Sequence, residues 1–145
     1  MKEMFVMNAT DVRKDWSSVT DSVVRNRPQF IKRTHDKMIL ASYALLENVL
    51  DAYKFSATKF VEDDGSVTLG LNEIDLIENA DSESGAHLAL SKSILEYAED
   101  YFREFSLWSA APNRKGHVPY ILKALILDDP EKIGELITIC QDGKN

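Results

Sequence analysis

The side chains with the most capacity for chemistry in this 145-residue chain are scattered carboxylates, three histidines and one cysteine. Glu62, Asp63, Asp64, Asp75 and Glu78 are the set that could converge on Mg²⁺, as a nuclease of ribonuclease-H type would need, because hard cations take oxygen ligands. Three of the five crowd one turn tip, Glu62-Asp63-Asp64-Gly65, where solvation is enough to explain them. His35, His87 and His117 lie far apart in sequence and lack the spacing of zinc ligands. Cys140 is the lone cysteine, so neither a disulfide framework nor a cysteine-based zinc cluster is available, and it reads as a structural thiol. No Gly-x-Ser-x-Gly context surrounds any serine, and the six glycines form no phosphate-cradling loop. The expectation is a protein with no catalytic residues, no metal and no cofactor. A metal-dependent nuclease stands as the lesser alternative.

The basic residues suggest a different chemistry. Thr10, Arg13 and Lys14 fall in the first turns of a helix that follows a strand. Such a helix start can present side chains to a major groove, where Arg pairs bidentately with guanine and Lys meets phosphate. Arg25, Arg27, Lys32, Arg33 and Lys37 could add phosphate contacts. With Asn8 these make the candidate DNA-binding set: Asn8, Thr10, Arg13, Lys14, Arg25, Arg27, Lys32, Arg33 and Lys37. The alternative is a solvated basic helix edge.

Charge is unevenly distributed. The whole chain carries −7. Residues 1–54 hold nine Lys/Arg against seven Asp/Glu, a net of +2, and the remainder holds eight against 17, a net of −9. That asymmetry suggests phosphate attraction in one half and a basic partner for the other.

These residues need elements to hold them. Met4–Met7 is a short apolar run, read as a strand. Asn8 sits three before Asp11, a helix-start pattern. Val12, Trp16, Val19 and Val23 follow at spacings of 4, 3 and 4, one helix face. Pro28 ends that helix, since proline biases its predecessor out of helix. Gln29–Arg33 and Met38–Ala41 read as two strands around a turn at Thr34–Lys37. Ser42 can cap a second helix with Leu45, Leu46, Val49, Leu50 and Tyr53 on its apolar side. So residues 1–54 read β-α-β-β-α. A unit this small cannot bury a full core alone. A homodimer would supply the missing surface, with Phe5, Trp16, Phe30, Ile31 and Ile39 as its expected core.

From residue 55 the pattern changes. Phe55–Val61 and Ser66–Leu71 flank a hairpin turn, and Glu73–Ile77 reads as a third strand. Asn79–Ser84 is a turn and cap ahead of a long helix over about 83–104. Its apolar residues form two stripes. One is Leu90, Ile94, Tyr97, Tyr101 and Phe105. Nearly opposite are Leu88, Leu95 and Phe102, seven apart. A helix apolar on two sides is covered on two sides, so Leu88, Leu95 and Phe102 are the candidate partner-binding residues. Asn113-Arg114-Lys115-Gly116-His117 is a basic loop, either a partner contact or a solvated connection. His117–Leu127 is an apolar helix. Asp129-Pro130-Glu131 starts a last helix, expected to run to Cys140. No apolar run approaches the roughly 18 residues of a membrane span, and the N-terminus lacks a signal-peptide core. A cytoplasmic protein without membrane contact is expected.

Residues 1–54 resemble the Phd/YefM family of antitoxins. The stretch Asn8-Ala9-Thr10-Asp11-Val12-Arg13-Lys14 matches that family's strand-to-helix motif. Pro28-Gln29-Phe30-Ile31-Lys32-Arg33-Thr34-His35-Asp36-Lys37 matches its basic turn, with His35-Asp36 where the family usually has glycine. Met38-Ile39-Leu40-Ala41-Ser42-Tyr43 matches the following strand. The resemblance implies a dimer that binds operator DNA and represses its own operon, with Arg13 as the leading base contact. Residues 56–104 look like the HicB-type antitoxin domain, a degenerate ribonuclease-H-like β-β-β-α unit, through Asp63-Asp64-Gly65 and Ala80-Asp81-Ser82 with Ala86 and Ala89 on the helix. By that resemblance the acidic half would dock and mask a basic ribonuclease toxin of RelE or HicA type. The expected fold is therefore α+β. A βαββα dimerising module spans residues 1–54, and an acidic toxin-binding domain with a small antiparallel sheet and helices spans 55–145. The competing class is a protein-interaction module without a DNA function.

Overall fold

Val12, Val19 and Val23 share one helical face, and their burial builds the first of two units. In the computed structural model, which describes residues 2–141, the chain divides into Met1–Val49 and Leu50–Asn145. The first unit contains β1 (Val6–Asn8), α1 (Ala9–Lys14), α2 (Trp16–Arg25), β2 (Gln29–Arg33), β3 (Asp36–Leu40) and α3 (Tyr43–Val49). The expected single helix is thus broken at Asp15, which closes α1 and opens α2. Asn8 takes the N-cap position in extended backbone, but its side chain makes no capping bond.

The three strands lie in the order β1-β2-β3, with β1 parallel to β2 and β2 antiparallel to β3. Alternate residues of a strand point to opposite faces. Met7, Ile31 and Leu40 pack on the valine cluster. Their neighbours Val6, Phe30 and Ile39, which pair in one cross-strand row, belong to the other face. Ile31, expected at a dimer core, therefore serves its own unit's core. The hairpin between β2 and β3 turns on Thr34-His35, with Arg33 opposite Asp36.

The boundary falls five residues before the expected one, at Val49/Leu50. Leu50 is buried. Tyr53 packs edge-on to Tyr120 at 5.7 Å, and its carbonyl accepts from the buried Lys123 Nζ at 2.6 Å. These contacts tie residues 50–54 to the second unit.

That unit has a four-stranded sheet ordered β6-β5-β4-β7, from β4 (Phe55–Val61), β5 (Val67–Leu71), β6 (Ile77–Ala80) and β7 (Ile137–Gln141). Its helices are α4 (Glu83–Arg103), α5 (Phe105–Ala110), α6 (Val118–Leu127) and α7 (Pro130–Glu135). Ser82 caps α4 by accepting from Gly85 N–H, and Asp129 caps α7 through Glu131 N–H. Phe55, Ala57 and Leu69 from the sheet, Leu90, Ile94 and Tyr101 from α4, Ile121 from α6 and Ile133 from α7 form one buried core.

Two expectations are corrected. Glu73–Ile77 is not a strand. Glu73 turns its carboxylate onto the Ser56 N–H and hydroxyl, Leu71 N–H reaches Leu76 O, and Ile74 plugs the core. Strand pairing resumes only at Ile77, so part of the expected turn at 79–84 is ladder. The last helix does not reach Cys140 either. It ends at Glu135, and the β-branched run Ile137-Thr138-Ile139 pairs parallel with β4. β-Branched side chains favour the pleated backbone over the helix. The second sheet is accordingly mixed rather than purely antiparallel.

Candidate DNA-binding and partner-binding surfaces

In the first unit, backbone register assembles part of the basic set. Asn8, Lys32 and Lys37 form one cross-strand row, next to the Val6-Phe30-Ile39 row on the same face. Thr10, Arg13 and Lys14, spaced i, i+3 and i+4, share a side of α1, and all three are exposed. Arg25 ends α2. Arg27 lies over the Phe5 ring at 5.3 Å, and both line a shallow hollow of about 130 Å³ with Pro28, Gln29 and Phe30. Gln29 Nε2 donates to the Phe5 and Phe30 carbonyls, at 3.2 and 2.8 Å. This fixes the Phe5 backbone against β2. Arg33 and His35 sit exposed at the hairpin end.

The ion pairs among the described residues are Asp51–Lys54, Lys59–Glu83 and Asp100–Arg103, all in the second unit. Arg13, Lys14, Arg25, Arg27, Lys32, Arg33 and Lys37 have no carboxylate within 4.0 Å among the described residues. Their charge is open to an external anion.

The apolar set is equally open. Trp16 is 53% exposed, Phe30 49% and Ile39 55%. Trp16 also borders a groove of about 480 Å³ between α2 and the β3–α3 connection, with Val24, Leu40 and Tyr43. Sequence reading missed Val24, Met38 and Tyr43, which are exposed as well. The signal for Val24 was present, because two adjacent valines cannot both lie on one helical face.

In the second unit, α4 presents Leu88 and Phe102 to solvent, 51% and 55% exposed, but Leu95 between them packs against the core. The expected stripe is reduced to its two ends. Phe102 stacks with Phe105 at 5.7 Å and is followed by the exposed Leu107. Glu99, Asp100 and Glu104 around it are exposed, and with Arg103 paired to Asp100 the rim of this apolar spot keeps a net negative charge.

Three of the five carboxylates considered for metal binding are engaged separately. Glu62 accepts from Thr68, Asp64 from Ser66 and Glu78 from Ser93. The Ser66 hydrogen bonds hold the Asp64 carboxyl below its ordinary pKa. Among the described residues no group of three His, Cys, Asp or Glu is placed to hold a metal ion. No helix among them is long and apolar enough to cross a membrane.

Comparison with known proteins places this geometry. No curated protein matches the chain. A solved structure from Syntrophomonas wolfei subsp. wolfei, described as an antitoxin part of a proposed toxin/antitoxin system, is 33% identical. It superposes with a TM-score of 0.88 over 94% of this chain and 99% of its own. The PHD-like family model, described as antitoxin of toxin-antitoxin, RelE/RelB, TA system, matches residues 1–139. An α+β chain with two small sheets, a cationic first unit and an acidic second one thus belongs to the PHD-like family of antitoxins of toxin–antitoxin systems.

Proposed function

We propose that this antitoxin is a cytoplasmic homodimer that binds operator DNA through its first unit, represses its own operon, and neutralises a basic ribonuclease toxin of RelE or HicA type through its acidic second unit. The observation that carries the reading is that the seven candidate DNA-binding cations of the first unit lack carboxylate partners among the described residues, although the chain as a whole is acidic. An acidic protein that leaves one module's cations unneutralised keeps a local field for phosphate. The exposed Phe30 and Ile39 row supports dimerisation beside those cations. In finer terms, the first unit is of Phd/YefM type and the second is HicB-like. Exposed Phe102 and Leu88, with the acidic rim about Phe102, support the second unit as the toxin-facing one.

The test is a gel-shift titration of the purified chain on the DNA upstream of its own gene, against random duplex, at several salt concentrations. Specific binding that weakens with salt is expected. Arg13→Ala should weaken specific binding about tenfold or more, the worth of one bidentate base contact. Lys32→Ala should weaken all sequences alike and lower the salt slope by about one. Equal affinity for both DNAs, unaltered by Arg13→Ala, would leave the first unit a protein-interaction module. Recovery of the chain bound to a small basic protein encoded beside it, and loss of that complex in Phe102→Asp, would test the toxin-facing surface.

A further inference from the structure

The basic loop of the second unit builds a small donor-lined pocket that the antitoxin reading does not use. The pocket holds about 200 Å³ and is lined by Ile74, Asp75, Leu76, Tyr97, Asn113, Arg114 and His117. That is below the range of drug-sized sites, so it fits one small functional group.

Its chemistry follows from one chain of hydrogen bonds. Arg114 Nη1 donates to Tyr97 Oη at 2.9 Å, and Tyr97 Oη lies 2.8 Å from His117 Nδ1. Burial and the nearby Arg114 cation push the His117 pKa down, with Asp75 opposing, so the ring is neutral near pH 7. The phenol, already receiving the guanidinium, can donate to Nδ1. In that tautomer the imidazole proton sits on Nε2, which has no partner among the described residues. The guanidinium is also held in place by stacking. It lies 4.5 Å from the Trp108 ring and 5.7 Å from the Tyr97 ring, and Tyr101 Oη donates to the Arg114 carbonyl at 2.8 Å. No carboxylate pairs with Arg114 among the described residues. None of its nitrogens is buried without a partner, so its N–H groups without a partner keep some contact with solvent. The pocket thus offers a rigid guanidinium held by Tyr97 and without a carboxylate partner, an imidazole N–H and the Asn113 amide.

We propose that this pocket is a carboxylate-binding subsite, with Arg114 taking the carboxylate in bidentate fashion and His117 Nε2 and Asn113 as flanking donors. A planar fork matches a planar carboxylate. Asp75, which also lines the pocket, disfavours a doubly charged phosphate more than a single carboxylate. The carboxylate can be that of a free small acid or the C-terminus of a peptide chain. Both share this recognition.

The test is a nuclear magnetic resonance titration of the full-length protein at constant ionic strength. The probes are acetate, succinate, inorganic phosphate, and a short peptide with either a free or an amidated C-terminus. Saturable shifts at the amides of residues 74–76 and 113–117, with half-saturation at about 1 mM or below, are expected for carboxylates. Arg114→Gln should abolish them and Arg114→Lys should weaken them. Asp75→Asn, at an exposed position that the fold does not need, should tighten binding about threefold or more, roughly the worth of removing one like charge near the surface. Tighter binding of the free-ended peptide than of succinate assigns the pocket to a chain terminus, and the reverse assigns it to a free acid. Linear shifts without saturation, phosphate binding as well as carboxylates, or an Asp75→Asn variant that binds no better would each overturn the proposal. None of these outcomes bears on DNA or toxin binding.

Discussion

The two units solve the same folding problem with unequal means. Among the described residues the first buries three apolar side chains, Val12, Val19 and Val23, and leaves nine large ones exposed. The second buries sixteen and leaves eight exposed, in nearly twice the length. Burying a Val, Leu, Ile or Phe contributes about 1.5–3 kcal/mol, so the first unit draws far less stabilisation per residue from its core than the second. The first unit therefore has the smaller core and the larger share of exposed apolar surface, and it is the one that calls for a cover. A module that depends on a cover for stability is also one whose surface is set by that cover. This is the physical link between its exposed Phe30 row and a two-fold partner.

The comparison breaks most directly at Phe30. On the far side of the sheet from the valine cluster, Phe30→Asp should cost the second unit nothing. If the Val6-Phe30-Ile39 row is the dimer seam, the change places a charge on each side of a closed apolar contact. Analytical ultracentrifugation at micromolar concentration should then show a monomer. The amide signals of residues 4–49 should collapse toward unfolded positions while those of 55–141 hold. A Phe30→Asp protein that stays folded throughout, at the wild-type mass, would mean that the seam lies elsewhere, with the groove beside Trp16 as the remaining candidate.

The sequence showed these surfaces unevenly, and the reasons are local. The hairpin of the first unit was readable because Pro28 stops α2 and the strands alternate. Alternation, however, does not say which set faces inward, so Ile31 was placed with Phe30 although it packs on Val12, Val19 and Val23. The long helix α4 was readable from its seven-residue repeats, but a helix wheel could not reveal that Leu95 is covered while Leu88 and Phe102 are not. β7 was missed because its partner, β4, lies about 80 residues earlier, and nothing near Ile137 announces a parallel pairing. The basic loop at 113–117 was visible. Its pocket was not, because Tyr97, Trp108 and Asp75 come from three other segments.

A second test probes the core of the larger unit. At Gly134 on α7, a Cβ would lie 2.7 Å from Ser91 Oγ and 2.9 Å from His87 Cε1 on α4. Neither neighbour can easily yield. Ser91 is buried with its hydroxyl on the His87 carbonyl at 2.8 Å, and His87 Nε2 is 2.8 Å from Gly134 O. Helix propensity favours Ala over Gly by about 1 kcal/mol, and overpacking against two atoms closer than 3.0 Å falls in the upper part of the usual range, about 2–3 kcal/mol. Gly134→Ala should therefore destabilise the second unit by about 1–2 kcal/mol net in urea unfolding, the difference of those two terms, and leave operator affinity of the folded protein unchanged. An unchanged or higher midpoint would show that α4 and α7 separate freely, and the second core would be looser than its burial implies.

The smallest effect is expected at Thr34. It opens the two-residue turn of the β2–β3 hairpin with φ at +56°, a region that β-branched residues rarely occupy. Holding a non-glycine residue there costs about 1–2 kcal/mol, and glycine would remove that cost while raising the entropy of the unfolded chain by about 1 kcal/mol. Thr34→Gly should therefore stabilise the first unit by up to about 1 kcal/mol, the balance of the strain and entropy terms, read as slower amide exchange at residues 29–40. The hairpin carries Lys32, Arg33 and Lys37, so the same change tests whether strain at the tip serves to aim those cations. If it does, Thr34→Gly will gain stability and lose DNA affinity together. If affinity holds while stability rises, the turn is merely strained, and the basic row is positioned by the sheet register alone.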